Sequence, residues 1–296
     1  MPQAQANQIE IEYATFGSPD ARPLLLLRGL GTQMVQWAPE FCQQIADAGH
    51  YLVIFDNRDV GLSTHFSDSP VPDMGEVFMA VSKGESPALP YTLSDMADDV
   101  IGLMDALELE TAHLAGISMG GMIVQEATLR HGERVRSLTS IMSSPSDPGL
   151  PGPTDAARAA LLEPAPRERD AYIEYSVRTG RAFTGDGFPY EEDERRKIAG
   201  VIFDRAFDPE GVARQAAAVF GARPRGEELG HIATPSLVIH GSADPLVPLA
   251  AGEATAQAIP GAQLEVIPGM GHDLPRGAWD RVITALADHT KSAQAP

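Results

Sequence analysis

Three side chains have the types and chain order that nucleophilic catalysis needs: Ser118, Asp244 and His272. A serine hydroxyl is a weak nucleophile at neutral pH. It needs a base within hydrogen-bond reach, and the base needs an acid that fixes its tautomer. Ser118 lies in Gly116-Ile117-Ser118-Met119-Gly120, directly after the apolar run Ala112 to Ile117 and directly before an amphipathic stretch over 119–131. A strand that turns sharply into a helix exposes such a serine, and the backbone folds that tightly only if the side chains two residues before and after are minimal. Gly116 and Gly120 meet that condition. The helix start would also aim free N–H groups and a partial positive charge at an oxyanion, so the chemistry these residues suggest is acyl transfer.

Asp244 follows the apolar run Ser236 to His240 in His240-Gly241-Ser242-Ala243-Asp244-Pro245, and His272 follows the next run in Pro268-Gly269-Met270-Gly271-His272-Asp273. Both segments are rich in turn formers and fall at strand ends, where open α/β sheets gather their ligand sites. Asp147, after the run Val135 to Met142, is the alternative acid. A second oxyanion donor is expected from Arg28-Gly29-Leu30-Gly31, which makes the N–H groups of Leu30 and Met119 the predicted pair. The other histidines carry no such context. His289 falls in the last helical segment, His113 begins a strand, His240 ends one, and His50, His65, His131 and His231 sit near turns or connections.

The elements that must position these groups are legible as alternation. Apolar runs Leu24 to Leu27, Tyr51 to Phe55, Ala112 to Ile117, Val135 to Met142, Ser236 to His240 and Leu264 to Ile267 read as strands of a mostly parallel sheet. Segments 93–107, 119–131, 248–258 and 276–290 have helix-length apolar periodicity and supply crossovers. Ile9 to Phe16 alternates more strictly and is expected to be an antiparallel edge strand. Residues 64–90 and 144–230 are too long for ordinary connections. The second opens on Asp147-Pro148-Gly149-Leu150-Pro151-Gly152-Pro153 and then shows helical patterns near Thr154 to Leu162 and Arg167 to Arg178, which predicts a helical lid inserted into the sheet domain. Its apolar residues Leu161, Leu162, Tyr172, Tyr175, Val201, Phe203, Phe207 and Val219 are candidates for lid core or pocket wall.

Composition narrows the partners. At 296 residues the chain suits one large domain or a core with a modest insertion. The formal charge of −19 repels phosphate backbones and anionic membranes, so neither nucleic acid nor a membrane is an expected partner. The single cysteine, Cys42, rules out an internal disulfide, and its place in a helical pattern over Pro39 to Ala48 marks a small buried hydrophobe. Scattered histidines and one cysteine make no metal-ligand spacing, and Gly29-Leu30-Gly31 lacks the third glycine of a dinucleotide fingerprint. No cofactor is expected. The start Met-Pro-Gln-Ala-Gln-Ala-Asn has neither the basic nor the apolar region of a signal peptide, and the expectation is a soluble cytoplasmic protein of undetermined oligomeric state.

These motifs resemble those of the α/β-hydrolase superfamily along nearly the whole chain outside most of the lid. Besides Ser118, Asp244 and His272, the run Asp56-Asn57-Arg58-Asp59-Val60-Gly61-Leu62-Ser63 is similar to the family's loop after its fourth strand, and Asp98-Asp99 to the acidic pair in its next helix. Within the superfamily the chain most resembles the aclacinomycin methylesterase-like carboxylesterase branch. The resemblance implies an eight-stranded, mostly parallel sheet flanked by helices, with a core of 1–143 and 231–296 and a helical cap over 144–230, inserted after the sixth strand. It also implies a serine-dependent hydrolase that cleaves a small-molecule carboxylic ester through an acyl-enzyme. One departure stands out: many members carry His-Gly in the oxyanion loop, where this chain has Arg28-Gly29. Two other readings fit the same residues. One is a carbon–carbon bond hydrolase or cofactor-free perhydrolase using the same triad, and the other is a small-molecule receptor on the same scaffold.

Overall fold

The computed structural model describes residues 2–293. The chain runs β1 Gln3–Ala6, β2 Ile9–Phe16, β3 Arg22–Leu27, α1 Pro39–Asp47, β4 His50–Phe55, α2 Met74–Ser82, α3 Leu93–Ala106, β5 Ala112–Ile117, α4 Met119–Arg130 and β6 Val135–Ile141. Five helices follow: α5 Asp155–Leu162, α6 Arg169–Arg181, α7 Glu192–Arg205, α8 Pro209–Phe220 and α9 Gly226–Leu229. The chain then returns to β7 Ser236–Gly241, α10 Leu249–Ala258, β8 Gln263–Ile267 and α11 Trp279–Ser292. The eight strands form one sheet in the order β1-β2-β4-β3-β5-β6-β7-β8, antiparallel only at the first two pairings. This is the mostly parallel eight-stranded sheet flanked by helices that the sequence led us to expect.

Alternation within the central strands builds two apolar layers, because successive side chains leave a strand on opposite faces. Leu25 and Leu27 of β3 pack with Val53, Leu114 and the helices α3 and α4, whereas Leu24 and Leu26 pack with Leu52, Ile54, α1 and α11. Cys42 belongs to the second layer and is fully buried. Burial on both faces is why these strands read as unbroken apolar runs. Ile9–Phe16 is not the edge: β1 pairs outside it, because Asn7 and Gln8 adopt φ of 46° and 67°, the tight turn whose twist suits a hairpin. That turn lacks the usual glycine, so it left little signal in the sequence.

The charged motif after β4 is a hub. Arg58 donates to both oxygens of Asp99 on α3 at 2.7 Å, and Asp98 receives Arg130 and His131. Asp56 accepts from the Met34 and Leu62 N–H groups at 2.7 and 3.0 Å and pairs with Arg205 of α7 at 2.6 Å. Asp59 is buried against Arg214 of α8, both bonds 2.8 Å, and takes the Tyr91 hydroxyl at 2.6 Å. The same loop therefore ties the sheet to the helices that stand between β6 and β7.

Candidate active site

β5 ends where parallel strands present their C-terminal edge, and Ser118 joins it to α4. Ser118 has φ 54° and ψ −120°, a conformation L-residues rarely adopt. Two close approaches hold it. A methyl group at Gly116 would lie 2.1 Å from the Gly120 carbonyl, and one at Gly120 would lie 2.7 Å from the carbonyls of Leu27 and Arg28. The Ser118 N–H is fixed by the Ile141 carbonyl at 2.9 Å, and its carbonyl accepts from Ser143 Oγ at 2.7 Å. The Ser118 backbone is thus clamped by β3, β5, the first turn of α4 and the β6 region.

His272 Nε2 lies 2.9 Å from Ser118 Oγ, and His272 Nδ1 lies 2.8 Å from Asp244 Oδ2. Solvent exposure falls along this chain: Ser118 is partly exposed, the His272 side chain is 9% exposed and the Asp244 side chain is fully buried. Asp244 Oδ1 accepts from the N–H groups of Leu246 and Val247 at 2.9 and 2.8 Å, so the carboxylate is held by its own turn with the other oxygen aimed at the imidazole. Such an arrangement makes Nδ1 the donor to Asp244 and leaves Nε2 to accept from Ser118. Asp147, the alternative acid, instead accepts from the Gly226 N–H at 2.9 Å. His240 is buried beside the site with Nε2 on the Val247 carbonyl at 2.8 Å, and burial pushes its pKa down. Asp273, next to the imidazole, is pushed up to about 6 by burial.

The Leu30 and Met119 N–H groups donate to no acceptor among the described residues. Gly29 lies against the nucleophile: a methyl group there would sit 3.1 Å from Ser118 Cβ. Both donors therefore flank the serine, Met119 at the first position of α4 where helical N–H groups have no internal partner.

What sequence reasoning missed is how far the inserted helices reach into this site. The Gly31 N–H donates to Gln215 Oε1 of α8 at 2.8 Å, and Gln215 Nε2 donates to the Arg58 carbonyl at 2.6 Å. The His272 N–H donates to the Phe183 carbonyl at 2.7 Å, and Gly187 N–H donates to Gly269 O at 2.9 Å. The loop bearing the histidine is backed by residues 183–187, with so little space that a methyl on Gly271 would meet the Gly185 nitrogen at 2.2 Å. Paired glycines, Gly185 and Gly187 against Gly269 and Gly271, are the signal that could have found this contact.

The lid candidates divide. Tyr172, Phe203 and Phe207 stack on one another at 4.7–5.4 Å, with Tyr175 beside Tyr172 at 6.1 Å. Val219 packs on the sheet's first apolar layer. Leu162 and Val201 are exposed, 59% and 49%, and wall nothing, because α5 and α7 turn them to solvent. Asp59, His65 and Asp208 bring metal-type ligand atoms within 4.8 Å of one another. Arg214 already sits 2.8 Å from Asp59 and 3.6 Å from Asp208, so a cation occupies the acceptors that a metal would need. No helix among the described residues is long and apolar enough to cross a membrane.

Comparison with known proteins matches residues 22–275 to the alpha/beta hydrolase fold family. Rhodomycin D methylesterase DauP of Streptomyces sp. (strain C5) is 29% identical, over 97% of each chain. 3-Oxoadipate enol-lactonase 2 of Acinetobacter baylyi is 29% identical over 88% of this chain and 86% of its own. Among solved structures, the esterase RhEst1 from Rhodococcus sp. ECU1013 superposes with a TM-score of 0.75 at 22% identity, covering 99% of this chain and 98% of its own, which is likeness of fold. With its family model spanning most of the sequence from β3 to the loop beyond the histidine, the chain belongs to the α/β-hydrolase fold family.

Proposed function

We propose that this protein hydrolyses small-molecule carboxylic esters, with Ser118 as nucleophile, His272 as general base and Asp244 as the acid that orients it. The observation that carries the reading is the unbroken pair of hydrogen bonds from Ser118 through His272 to Asp244, 2.9 and 2.8 Å, ending on a strained serine at a helix start. The similarity to methylesterases over nearly the full length supports the ester as substrate class.

In this mechanism His272 Nε2 takes the Ser118 proton as Oγ attacks the ester carbonyl. The Leu30 and Met119 N–H groups receive the resulting oxyanion, and preorganised donors of this kind lower such barriers by several kcal/mol, roughly 3–4 for one donor. Imidazolium then protonates the departing alkoxide, which leaves as the alcohol. Water, deprotonated by His272, attacks the acyl-enzyme and releases the acid with Ser118 restored. Asp244 steadies the imidazolium throughout. Residues 1–143 and 231–296 act as the catalytic core, and 144–230 as a cap whose 183–187 segment and Gln215 brace the base and oxyanion loops.

The test is a hydrolysis screen over esters, lactones, amides and β-diketones, with mass spectrometry of protein quenched during turnover. Ester turnover with an acyl adduct on the peptide containing Ser118 is expected. Cleavage of diketones without esters would overturn the reading, as would stoichiometric binding without repeated turnover.

A further inference from the structure

Arginines in this acidic chain are mostly neutralised by neighbours: Arg58 by Asp99, Arg130 by Asp98, Arg205 by Asp56, Arg214 by Asp59. Arg28 is the exception beside the nucleophile. Its guanidinium lies over the Trp37 ring, 4.5 Å from the centroid, and among the described residues it makes no ion pair and no hydrogen bond. Its Nε is buried without a partner. The next residue, Gly29, packs against Ser118, and the Arg28 carbonyl packs against Gly120, so this cation stands on the loop that flanks the reacting carbonyl.

A second cation acts on it through its charge. Among the described residues Arg195 of α7 forms no ion pair either, and its Nε donates to the Ser176 carbonyl at 3.2 Å. Helix α7 meets the one-turn helix Met34–Gln36 that leads into Trp37, and the charge of Arg195 bears on Arg28. Burial, then the charge of Arg195, lowers the Arg28 pKa to about 9, which leaves it cationic at neutral pH. Two like charges without counterions in a protein of formal charge −19 are costly to keep unless something negative joins them. The Trp37 ring covers one face of the guanidinium, and no acceptor among the described residues meets its N–H groups, an arrangement that a planar carboxylate completes in two parallel bonds.

We propose that Arg28, assisted by Arg195, binds a free carboxylate on the substrate, so that the preferred substrate is an ester that carries a second, ionised carboxyl group. This rests on the ester-hydrolase reading above and narrows it. A merely structural stacking of Arg28 on Trp37 would hold the loop but would not make the rate depend on substrate charge.

The experiment measures kcat/KM for matched pairs: monomethyl half-esters of aliphatic and aromatic dicarboxylic acids, and the same esters with the free carboxyl converted to a carboxamide. Wild type is expected to favour the anionic member by about 10- to 100-fold, mostly in KM, with the preference shrinking as salt is raised. Arg28→Met should bring the ratio near one, and Arg28→Lys should retain part of it. Inhibition of wild-type turnover of a neutral methyl ester by simple dicarboxylates gives a second readout that needs no variant, and competitive inhibition is expected. A wild-type ratio at or below one, or a ratio unchanged in folded Arg28→Met, overturns the proposal. So does a preference for a phosphate-bearing ester over the carboxylate. Failure to hydrolyse either member of any pair would instead sink the ester-hydrolase reading itself.

Discussion

The serine and the histidine reach the same point by different means. Ser118 is held by its own neighbourhood: Gly116 and Gly120 let β5 turn into α4, and Ile141 and Ser143 of the adjoining β6 region fix its backbone. The loop of His272 leans on residues 183–187, some ninety positions earlier in the chain, and the oxyanion loop leans on Gln215. The setting of Ser118 is thus a property of the sheet, whereas the loops of His272 and Leu30 depend on the inserted helices. In this comparison the inserted helices do more than connect β6 to β7, because they brace the loops beside Ser118 and His272.

Breaking the nucleophile should have the largest effect. Ser118→Ala is expected to lower ester turnover on the order of 10⁴-fold or more with the thermal midpoint nearly unchanged, since one oxygen at a partly exposed elbow leaves little cavity. Residual turnover of a tenth of wild type in the folded variant would refute the assignment. Asp244→Asn comes next, at roughly 10³- to 10⁴-fold, because the amide favours the wrong tautomer of His272. If Asp147→Asn is the crippled variant and Asp244→Asn is not, the acid is misassigned.

Gly271→Ala tests the dependence of the His272 loop on the inserted helices. The added methyl would meet the Gly185 nitrogen at 2.2 Å and the Phe183 carbonyl at 2.5 Å, backbone atoms that cannot yield without moving His272. A displacement near 1 Å should cost on the order of 10²-fold in kcat, and steady-state kinetics with a small ester would read it. Wild-type kcat would mean that the 183–187 segment is only a neighbour. Gln215→Leu is expected to act more weakly, about 10-fold in kcat with a lowered thermal midpoint. It strips the Gly31 N–H and the Arg58 carbonyl of their buried partner, at about 1–3 kcal/mol for each orphaned group.

The smallest effect concerns pH and spans both regions. Burial lowers the pKa of His50, His240 and His289 and takes His113 down to about 3. The unfolded chain protonates these imidazoles near pH 6.5 while the native chain does so only lower, so unfolding gains protons and stability declines as pH falls through 6.5. Asp56, Asp99 and Asp273 are raised by burial and act in the opposite sense, Asp273 from about pH 6 downward. Urea melts at pH 7 and pH 6 should therefore show a net loss of stability towards pH 6, carried by the four histidines against the smaller opposing contribution of Asp273. Equal stability at the two values would show that these sites do not report on folding.

The sequence alone determined the parallel part of the sheet, though not the outer strand β1, because strands buried on both faces must be apolar runs and crossover helices must carry a 3.6-residue period. It determined the elbow as well, since a serine between glycines at a strand end is a local requirement of backbone geometry. Ser118, Asp244 and His272 could be picked by residue type and order, yet order carries no distances. Only the tertiary structure brought His272 to 2.9 Å from Ser118 and sent Asp147 to Gly226. It alone decided which apolar residues of 144–230 pack together, as Tyr172, Phe203 and Phe207 do, and which, like Leu162 and Val201, face water. It also left Arg28 without a counterion, because pairing among 41 acidic and 22 basic side chains is settled by packing across segments far apart in the chain, where spacing in the sequence has no purchase.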